Sequence, residues 1–534
     1  MKAPRILLLV IAVAVIAGCG RGGDAPAPVQ TLQRAMPADV ETLDPQRARS
    51  TQAADIQRDI GEGLFRFDSN SEVAPASVER WELSEDGLTY TFHLREGLRW
   101  SNGDAVTAEH FVAGLRRLVD PVTAAFYAQN AIDIENAEGI ISGDIPVSML
   151  GVEAADDRTL VIRLVRPSAY FNQVLAHPSM FPVHTPSLAE HGDDFARPGK
   201  FVSNGAYVLD AWVPGSLIAL KRNEHYWDND ATAIDAVNWH AIVNDSAELN
   251  RYRAGELHIT STVPSDSFAQ VKAQFGDQLR VAPYFAVYYL GYNMTKPPFK
   301  DNRALRRALS MAVDREELTA KVTARGETPA YSWVPPGISG YEPVRMGFAA
   351  LGKEEREQLA RRLYKEAGFS EDNPLEIEIR YNTGDTHRRI VVAVQSMWRD
   401  VLGFEAELVN EEFQVLLTHM KAAEITQVFR SSWVGDYIDP VTFLNVLRSD
   451  NPQNMPQYQS VDYDDFMARA DAQIDPTKRA LILGEAERVM LADYPIIPLY
   501  FYVTRHLVHP DVEGWGDNPL DYHYSQHLSL KAAD

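Results

Sequence analysis

A tryptophan and an aspartate lie three residues apart in the segment Ser431-Ser432-Trp433-Val434-Gly435-Asp436-Tyr437. The segment follows an apolar stretch and Arg430, a pattern that indicates the end of a strand. A carboxylate beside an indole ring can hold an ammonium group in a partly desolvated place. The alternative is that Trp433 packs in the core and Asp436 caps a turn, and the segment alone favours that interpretation. The remaining sequence decides between the two.

Motifs for other chemistry are absent from the sequence. It contains no G-x-S-x-G elbow, no H-E-x-x-H and no P-loop. His523 and His527 are four residues apart and His506 and His509 are three apart, but no third metal ligand is evident near either pair. We therefore expect all four histidines at the surface or the core edge. The 74 acidic residues give many accidental carboxylate pairs, so they do not indicate a glycosidase. We predict no catalytic residue, no cofactor and no metal.

The N-terminus has the pattern of a secretory signal. Lys2 and Arg5 precede an apolar run over residues 6–17, which is too short to span a bilayer, and Gly18-Cys19 follows. This end resembles the lipobox of bacterial lipoproteins, in which the cysteine is acylated. We predict a signal peptide over 1–18, lipidation of Cys19 and a Gly/Pro/Ala-rich tether over 19–30. The alternative is an ordinary signal peptide with a chance cysteine.

Composition narrows the function classes. The 534 residues are 45% hydrophobic and 23% charged, which is typical of a globular protein too long for one core, so we expect two or three lobes. The formal net charge of −23 argues against a nucleic-acid partner, because phosphate binding needs clustered cations. Cys19 is the only cysteine, so no intramolecular disulfide can form.

The sequence leading into the Trp433 segment predicts an α/β unit. Residues 375–381 alternate as a strand, apolar residues over 390–402 repeat at helical spacing, and residues 404–408 alternate again. Such a strand, helix and strand form a parallel pair with a crossover helix. A further helix over 413–420 leads into the strand before Trp433. Because ligands in α/β sheets bind beyond the carboxyl ends of strands, Trp433 and Asp436 are well placed to contact one.

A set of motifs in one order resembles a known family, the periplasmic oligopeptide-binding proteins of bacterial ABC importers. The resemblance covers essentially all of the mature chain. Its motifs are Thr42-Leu43-Asp44-Pro45, Tyr90-Thr91-Phe92-His93-Leu94-Arg95, Trp100-Ser101-Asn102-Gly103, Asn204-Gly205-Ala206-Tyr207, Arg222-Asn223-Glu224-His225-Tyr226-Trp227-Asp228, Asn250-Arg251-Tyr252-Arg253-Ala254-Gly255-Glu256 and Tyr500-Phe501-Tyr502-Val503.

The resemblance implies the three-lobed type II periplasmic binding protein fold, an α/β fold in which two lobes close over the ligand and an extra domain enlarges one end. Changes between strand-rich and helix-rich stretches near residues 61, 185, 284 and 503 agree with it. The expected segments are lobe I over 31–61, 186–285 and 504–534, the extra domain over 62–185, and lobe III over 286–503.

The resemblance also implies site residues. Asp436 is expected to bind the peptide α-ammonium beside Trp433, Arg430 the carboxylate of a short peptide, and His387 that of longer ones. Main-chain groups of two segments are expected to pair with the peptide backbone: Arg49, Ser50 and Thr51, and Ser432, Trp433 and Val434. The remaining expected site residues are Asn382, Tyr127, Phe413 (in place of a family tryptophan), Tyr500 and Tyr502.

Three departures from the family pattern bear on the pocket. Val434 and Ala286 stand where well-studied members have a disulfide. Gly291 and Arg49 stand where the family has acids, so we expect a more positive pocket.

The resemblance implies a monomeric periplasmic protein that captures extended oligopeptides and delivers them to an ABC permease. The lipid anchor predicted at Cys19 is a further difference from soluble members of the family. The alternatives are murein peptide or a non-peptide solute such as a metal chelate and, from another class, an envelope peptidase or chaperone.

Overall fold

A computed structural model describes residues 29–423 and 427–531. The predicted signal peptide, Cys19 and nearly all of the tether lie outside the described residues. The cleavage, the lipidation and the tether therefore stay predictions from the sequence. Within the described ranges, no helix combines the length and the apolar character needed to cross a bilayer.

The N-terminal third forms one strand, one helix and then a separate antiparallel sheet. The elements are β1 (Thr31–Met36), α1 (Thr51–Ile60), β2 (Phe65–Phe67), β3 (Val73–Pro75), β4 (Val78–Leu83), β5 (Thr89–Leu94), α2 (Ala108–Val119), α3 (Ala137–Ile141), β6 (Val152–Asp156), β7 (Thr159–Arg163) and α4 (Phe171–Val174). Strands β4, β5, β7 and β6 pair in that order, and β2 pairs with β3. The sheet is covered by α2, whose Phe111, Leu115 and Leu118 are buried.

The middle of the chain completes a sheet that β1 begins. Its elements are α5 (Thr185–His191), β8 (Tyr207–Val213), β9 (Leu217–Arg222), β10 (Ala236–Ala241), α6 (Asp245–Arg253), α7 (Phe268–Phe275) and β11 (Leu279–Tyr292). The strand order is β1-β10-β9-β8, and β1 runs parallel to β10 with Thr31 opposite Ala236. This sheet is therefore assembled from segments that are far apart in the sequence.

The C-terminal half builds the largest sheet. Its elements are α8 (Arg303–Met311), α9 (Arg315–Glu317) with a π-helical turn (Leu318–Thr323), β12 (Thr328–Pro329), α10 (Lys353–Glu366), β13 (Glu378–Asn382), α11 (Asp385–Leu402), β14 (Glu407–Glu411), α12 (Phe413–Ala422), β15 (Val428–Val434), α13 (Val441–Leu444), α14 (Val461–Asp471), α15 (Pro476–Asp493), β16 (Ile496–Leu507), β17 (Val512–Glu513) and β18 (Ser529–Leu530). Six strands pair in the order β12-β16-β11-β15-β13-β14.

The predicted strand–helix–strand unit is present, with later strand starts. Strands β13 and β14 are parallel, α11 connects them, and Gly403 ends α11 with a φ of 79°. The strands were predicted from Leu375 and Phe404, but pairing begins at Glu378 opposite Glu407. Leu375 and Phe404 are buried. The apolar alternation that begins at each of them therefore reflects core packing just before the strands start to pair.

Two long strands, β11 and β16, connect the six-stranded sheet with the sheet that contains β1. At one end Leu279 of β11 pairs with Leu507 of β16, and both pack with Ala35 of β1. At the other end both strands belong to the six-stranded sheet, and their register shifts between Pro283 and Val287. The expected boundaries at 285/286 and 503/504 fall inside these strands, and the division into lobes remains a prediction.

Candidate functional site

A cavity of about 240 Å³ lies beside the sheet that contains β1, where the long strands β11 and β16 leave that sheet. Four of the residues expected in the site line it: Thr51, Tyr127, Val434 and Asp436. Its other walls come from α1 and from the chain between β17 and β18, so segments from both ends of the sequence face Asp436 across one space.

Asp436 offers a carboxylate that no described residue satisfies. Its backbone N–H donates to Thr442 Oγ1 at 3.2 Å, whereas its carboxylate makes no hydrogen bond or ion pair within the described part of the chain. The side chain is solvent-accessible, yet desolvation by the surrounding walls raises the pKa of Asp436 to about 6. An unpaired carboxylate in such a place attracts a cation.

The loop that carries Asp436 is held from three sides. Asp439 accepts two hydrogen bonds from Arg479 at 2.7 and 2.9 Å. Ile438 exchanges two hydrogen bonds with Gln173, at 2.8 and 3.2 Å. The Tyr437 ring stacks on Tyr170 with centroids 4.6 Å apart. Tyr170 and Gln173 lie at α4, in the N-terminal third of the chain. This part of the chain therefore fixes the direction in which the loop presents Asp436.

A second group of expected residues gathers around Arg430 on β15. The guanidinium donates to Asn382 Oδ1 at 3.0 Å and to the Tyr502 hydroxyl at 3.3 Å, and it lies 4.6 Å from the centroid of the Tyr288 ring. Arg430 is 8% exposed and has no carboxylate partner among the described residues. Its Nε also has no hydrogen-bond acceptor there. The group, which we call the Arg430 recess, therefore carries a positive charge that no described acid compensates.

Two more expected residues complete this recess. His387 Nδ1 lies 3.3 Å from the Tyr288 hydroxyl, and burial together with the charges of Arg430 and Arg325 lowers the pKa of His387 to about 4. His387 is therefore neutral at neutral pH. Tyr500 stacks on Tyr288 with ring centroids 4.9 Å apart and is almost fully buried, so it holds the Tyr288 ring in place.

One edge of β15 is open between the two groups. Strand β11 pairs with β15 from Val428 to Val434, but β13 pairs only with Val428 and Phe429. The Gly435 N–H donates to the Phe285 carbonyl, so by antiparallel alternation the main-chain groups of Ser432 and Val434 point away from β11. Within the described residues no strand occupies that side. Trp433 is half-buried, and its indole N–H has no acceptor there.

Two of the three other expected main-chain donors are already engaged. The Arg49 and Ser50 N–H groups donate to Glu41 Oε1 at 2.5 and 3.0 Å, and the Ser50 hydroxyl donates to Glu41 Oε2. Burial alone would raise the pKa of Glu41, but the hydrogen bonds from these donors outweigh the effect of burial and lower the pKa. A ligand backbone would have to displace Glu41 to use them. The Arg49 carbonyl accepts the Tyr127 hydroxyl, and Phe413 lies 45% exposed at the start of α12.

Gly291 does not affect the cleft charge in the way the sequence suggested. Gly291 is buried opposite Phe429, and a Cβ at this position would lie only 2.3 Å from the Phe429 ring. A side chain at 291 would therefore enter the core, where the ring already fills the space. Arg49, in contrast, is exposed beside the Phe126 ring.

Ala286 and Val434 lie directly opposite each other in the β11–β15 pair. Since Phe285 and Gly435 form a hydrogen-bonded pair, Ala286 and Val434 form the closer, non-hydrogen-bonded kind, with Cα atoms about 4.5 Å apart. This separation lies within the range of disulfides.

We predict that the double substitution Ala286→Cys and Val434→Cys forms a disulfide. The bond would close a long loop and stabilise the fold by about 2–4 kcal/mol. Thiol titration and urea unfolding measure both effects, and the Ala286→Ser, Val434→Ser pair is the control. Two free thiols remaining after oxidation would contradict the expected geometry.

Several cavity residues were missed by the sequence analysis. Arg58 pairs with Asp55 at 2.9 Å and lies over the Tyr522 ring, and all three residues line the cavity. The fold also brings His506 to Asp521 and His523, although the sequence pairs were His506 with His509 and His523 with His527. Sequence spacing gave no signal, because these contacts join α1, β16 and the tail only in three dimensions.

Comparison with known proteins identifies the family. The model of the bacterial extracellular solute-binding proteins, family 5 (middle), matches residues 72–455. The periplasmic oligopeptide-binding protein OppA of Salmonella typhimurium is 37% identical over 525 residues, which covers 97% of this chain and 96% of that protein. The probable deoxycholate-binding periplasmic protein YgiS of Escherichia coli is 38% identical over 509 residues, covering 95% and 94%.

A solved structure shows the same architecture over nearly the full length. The periplasmic murein tripeptide-binding protein MppA, in its unliganded open form, matches with a TM-score of 0.85 at 34% identity, covering 94% of this chain and 98% of that one. The predicted α/β fold of the type II periplasmic binding proteins is thereby confirmed. With full-length relatives well above 30% identity and a family model that matches most of the sequence, the chain belongs to the bacterial extracellular solute-binding proteins of family 5.

Proposed function

We propose that the protein binds oligopeptides in an extended conformation in the cleft beside β15. The observation that carries this proposal is the open edge of β15, which lies between the unpaired carboxylate of Asp436 and the uncompensated guanidinium of Arg430. An extended peptide can add to such an edge through its main chain, which gives affinity without regard to side chains. Its ammonium would meet Asp436 and its carboxylate would meet Arg430.

The spacing of the two charges suits a short peptide. Asp436 lies six residues after Arg430, just beyond the end of β15, and six residues of extended chain span at most about 20 Å. About three to five extended ligand residues, at about 3.3–3.6 Å each, would contact both ends. Closure of the lobes around β11 and β16 would then exclude water, and the ligand would favour the closed state by its higher affinity for it.

The names of the relatives support a location in the bacterial envelope. OppA and MppA are both named as periplasmic. We infer a periplasmic protein that is anchored in the membrane through a lipid on Cys19 and acts as a monomer. When a ligand is bound in the cleft, the protein presents its lobes to an ABC permease. Incorporation of a labelled fatty acid, and its loss in Cys19→Ser, tests the anchor.

A non-peptide solute is the second candidate, because YgiS, named as a probable deoxycholate-binding protein, is as similar to this chain as OppA. The electrostatics favour a peptide, since an anion of the bile-acid type could pair with Arg430 only and would leave the Asp436 carboxylate without a counter-ion, whereas a peptide with free termini meets both charges. Murein peptide, which MppA is named for, would satisfy the same two charges.

Native mass spectrometry of the purified chain tests the proposed function. We expect retained peptides with free termini, and calorimetry with the synthetic peptides should return the same affinities. Retained bile acid or metal chelate, with no binding of free peptides, would contradict it. Cleavage of the added peptide during incubation would instead support the peptidase alternative.

Peptide binding is expected to weaken as the pH falls through the pKa of Asp436, which is about 6 in the free protein. A bound ammonium favours the carboxylate, so the pKa is lower in the complex. Affinity is therefore full above the free pKa and falls by at most about tenfold per pH unit below it. Calorimetry across neutral and mildly acidic pH measures the slope. The same slope in Asp436→Asn would assign it to another group.

A further inference from the structure

Three potential metal-ligating side chains meet on the cavity wall opposite Asp436. His506 lies on β16, and Asp521 and His523 lie between β17 and β18. His506 Nε2 is 2.9 and 3.1 Å from the two Asp521 carboxylate oxygens, and His523 Nε2 is 3.0 Å from one of them. One ligand atom from each residue lies within 4.8 Å of the others.

The hydrogen-bond geometry of His506 leaves a place for a positive charge between its ring and Asp521. His506 Nδ1 is 2.8 Å from the carbonyl oxygen of Thr260. A carbonyl oxygen only accepts, so Nδ1 carries the hydrogen and the Nε2 lone pair of the neutral ring faces the Asp521 carboxylate. Two acceptors at that distance repel unless a proton or a metal ion lies between them. A ring held through one N–H by a backbone carbonyl is the usual arrangement of a metal-ligating histidine.

Neighbouring groups hold the cluster in place and leave it open on one side. The Trp515 ring stacks on the His523 ring with centroids 3.5 Å apart, which fixes the orientation of His523. His506 is buried, and all three ligand residues line the cavity. An ion held here would therefore be reached from the cleft, and its remaining coordination position would face the cleft.

We propose that His506, Asp521 and His523 form a binding site for a divalent transition-metal ion of the Zn²⁺ class. Two imidazole nitrogens and one carboxylate oxygen are a typical zinc ligand set, whereas Ca²⁺ and Mg²⁺ prefer oxygen ligands. With metal–ligand bonds of about 2.0–2.1 Å, tetrahedral ligand atoms lie about 3.3 Å apart. The two histidine–aspartate separations need to widen by only a few tenths of an ångström, and the ligand nitrogens of the two histidines lie within 4.8 Å of each other. The proposal is independent of which solute the cleft carries.

Arg34 opposes the ion and limits its affinity. Its guanidinium donates to the His523 carbonyl at 2.6 Å, so a positive charge lies next to the cluster. Arg34 also donates to the Ser525 hydroxyl, and that hydroxyl donates to Asp59, which offsets part of this charge. We expect micromolar rather than nanomolar affinity for Zn²⁺.

Titration of the untagged, EDTA-treated whole chain with ZnCl₂ tests the site. Calorimetry should show one Zn²⁺ bound per chain at neutral pH, and CoCl₂ should give the intense visible bands of a four-coordinate site. Asp521→Asn and His523→Gln should each weaken Zn²⁺ binding by more than about tenfold. His509→Gln is the matched control, because His509 lies near His258 and Asp511 but outside the cluster.

Absence of stoichiometric Zn²⁺ binding by the wild-type chain would overturn the proposal, and so would unchanged binding in both cluster variants. Loss of binding in His509→Gln alone would place the ion elsewhere. Circular dichroism shows whether each variant is folded. If a variant does not fold, the Co²⁺ spectrum of the wild-type chain decides, since weak six-coordinate bands are incompatible with the site.

Discussion

Replacement of Asp436 by asparagine is expected to weaken the binding of free-amine peptides by about 2–5 kcal/mol. The carboxylate has no partner among the described residues, and its pKa is already raised to about 6. The peptide ammonium would supply the missing charge, and in the variant it would be desolvated without a counter-ion. Isothermal titration calorimetry with one peptide measures the loss directly.

Acetylation of the peptide gives the matched experiment on the ligand. If Asp436 contacts the ammonium, acetylation weakens binding to the wild type strongly and to Asp436→Asn only slightly, so the two losses are not additive. Asp55→Asn is the control variant, because Asp55 lines the same cavity but already pairs with Arg58. Equal binding of acetylated and free peptides to the wild type would remove this role from Asp436.

Replacement of Arg430 by glutamine is expected to weaken short peptides with a free carboxylate by about 2–5 kcal/mol. Arg430 is nearly buried, is held by Asn382 and Tyr502, and faces no acid within the described residues. A ligand carboxylate would accept charge-assisted hydrogen bonds from it. Calorimetry of a series of peptides of increasing length measures the effect, which should fall for peptides that extend beyond the recess.

Amidated peptides separate charge recognition from packing. They should bind the wild type less well, and Arg430→Gln should weaken them little further. Arg325→Gln is the control, since Arg325 lies near His387 but is paired with Glu327. An equal loss for amidated and free peptides in Arg430→Gln would show that Arg430 supports the recess without contacting the carboxylate.

Local pattern predicted the elements around the site well. Alternation and helical spacing indicated β13, α11 and β14, and Gly403 ended the helix as expected. The errors were at the strand starts. Burial already alternates along the chain from Leu375 and from Phe404, before any strand pairing begins. Burial and hydrogen-bonded pairing produce the same period of two, so pattern alone cannot separate them.

Positions that depend on neighbours in space were predicted less well. Gly291 was expected to alter the charge of the pocket, but a side chain at this position would point into the ring of Phe429. The main-chain donors of Arg49 and Ser50 are engaged by Glu41, a residue that no motif indicated. Both outcomes depend on which face of a strand or loop packs against another segment.

The sequence by itself determined the family, the α/β elements and the residue types at Arg430 and Asp436, because these depend on motifs and on short-range periodicity. Only the tertiary structure decided that β13 leaves one edge of β15 open, and that α1, β16 and the C-terminal tail enclose one cavity with His506, Asp521 and His523 on its wall. Those features arise from contacts between segments that are far apart along the chain, from Ile379 with Val428 to Arg34 with His523. Their geometry is set by sheet register and core packing, which spacing along the chain does not encode.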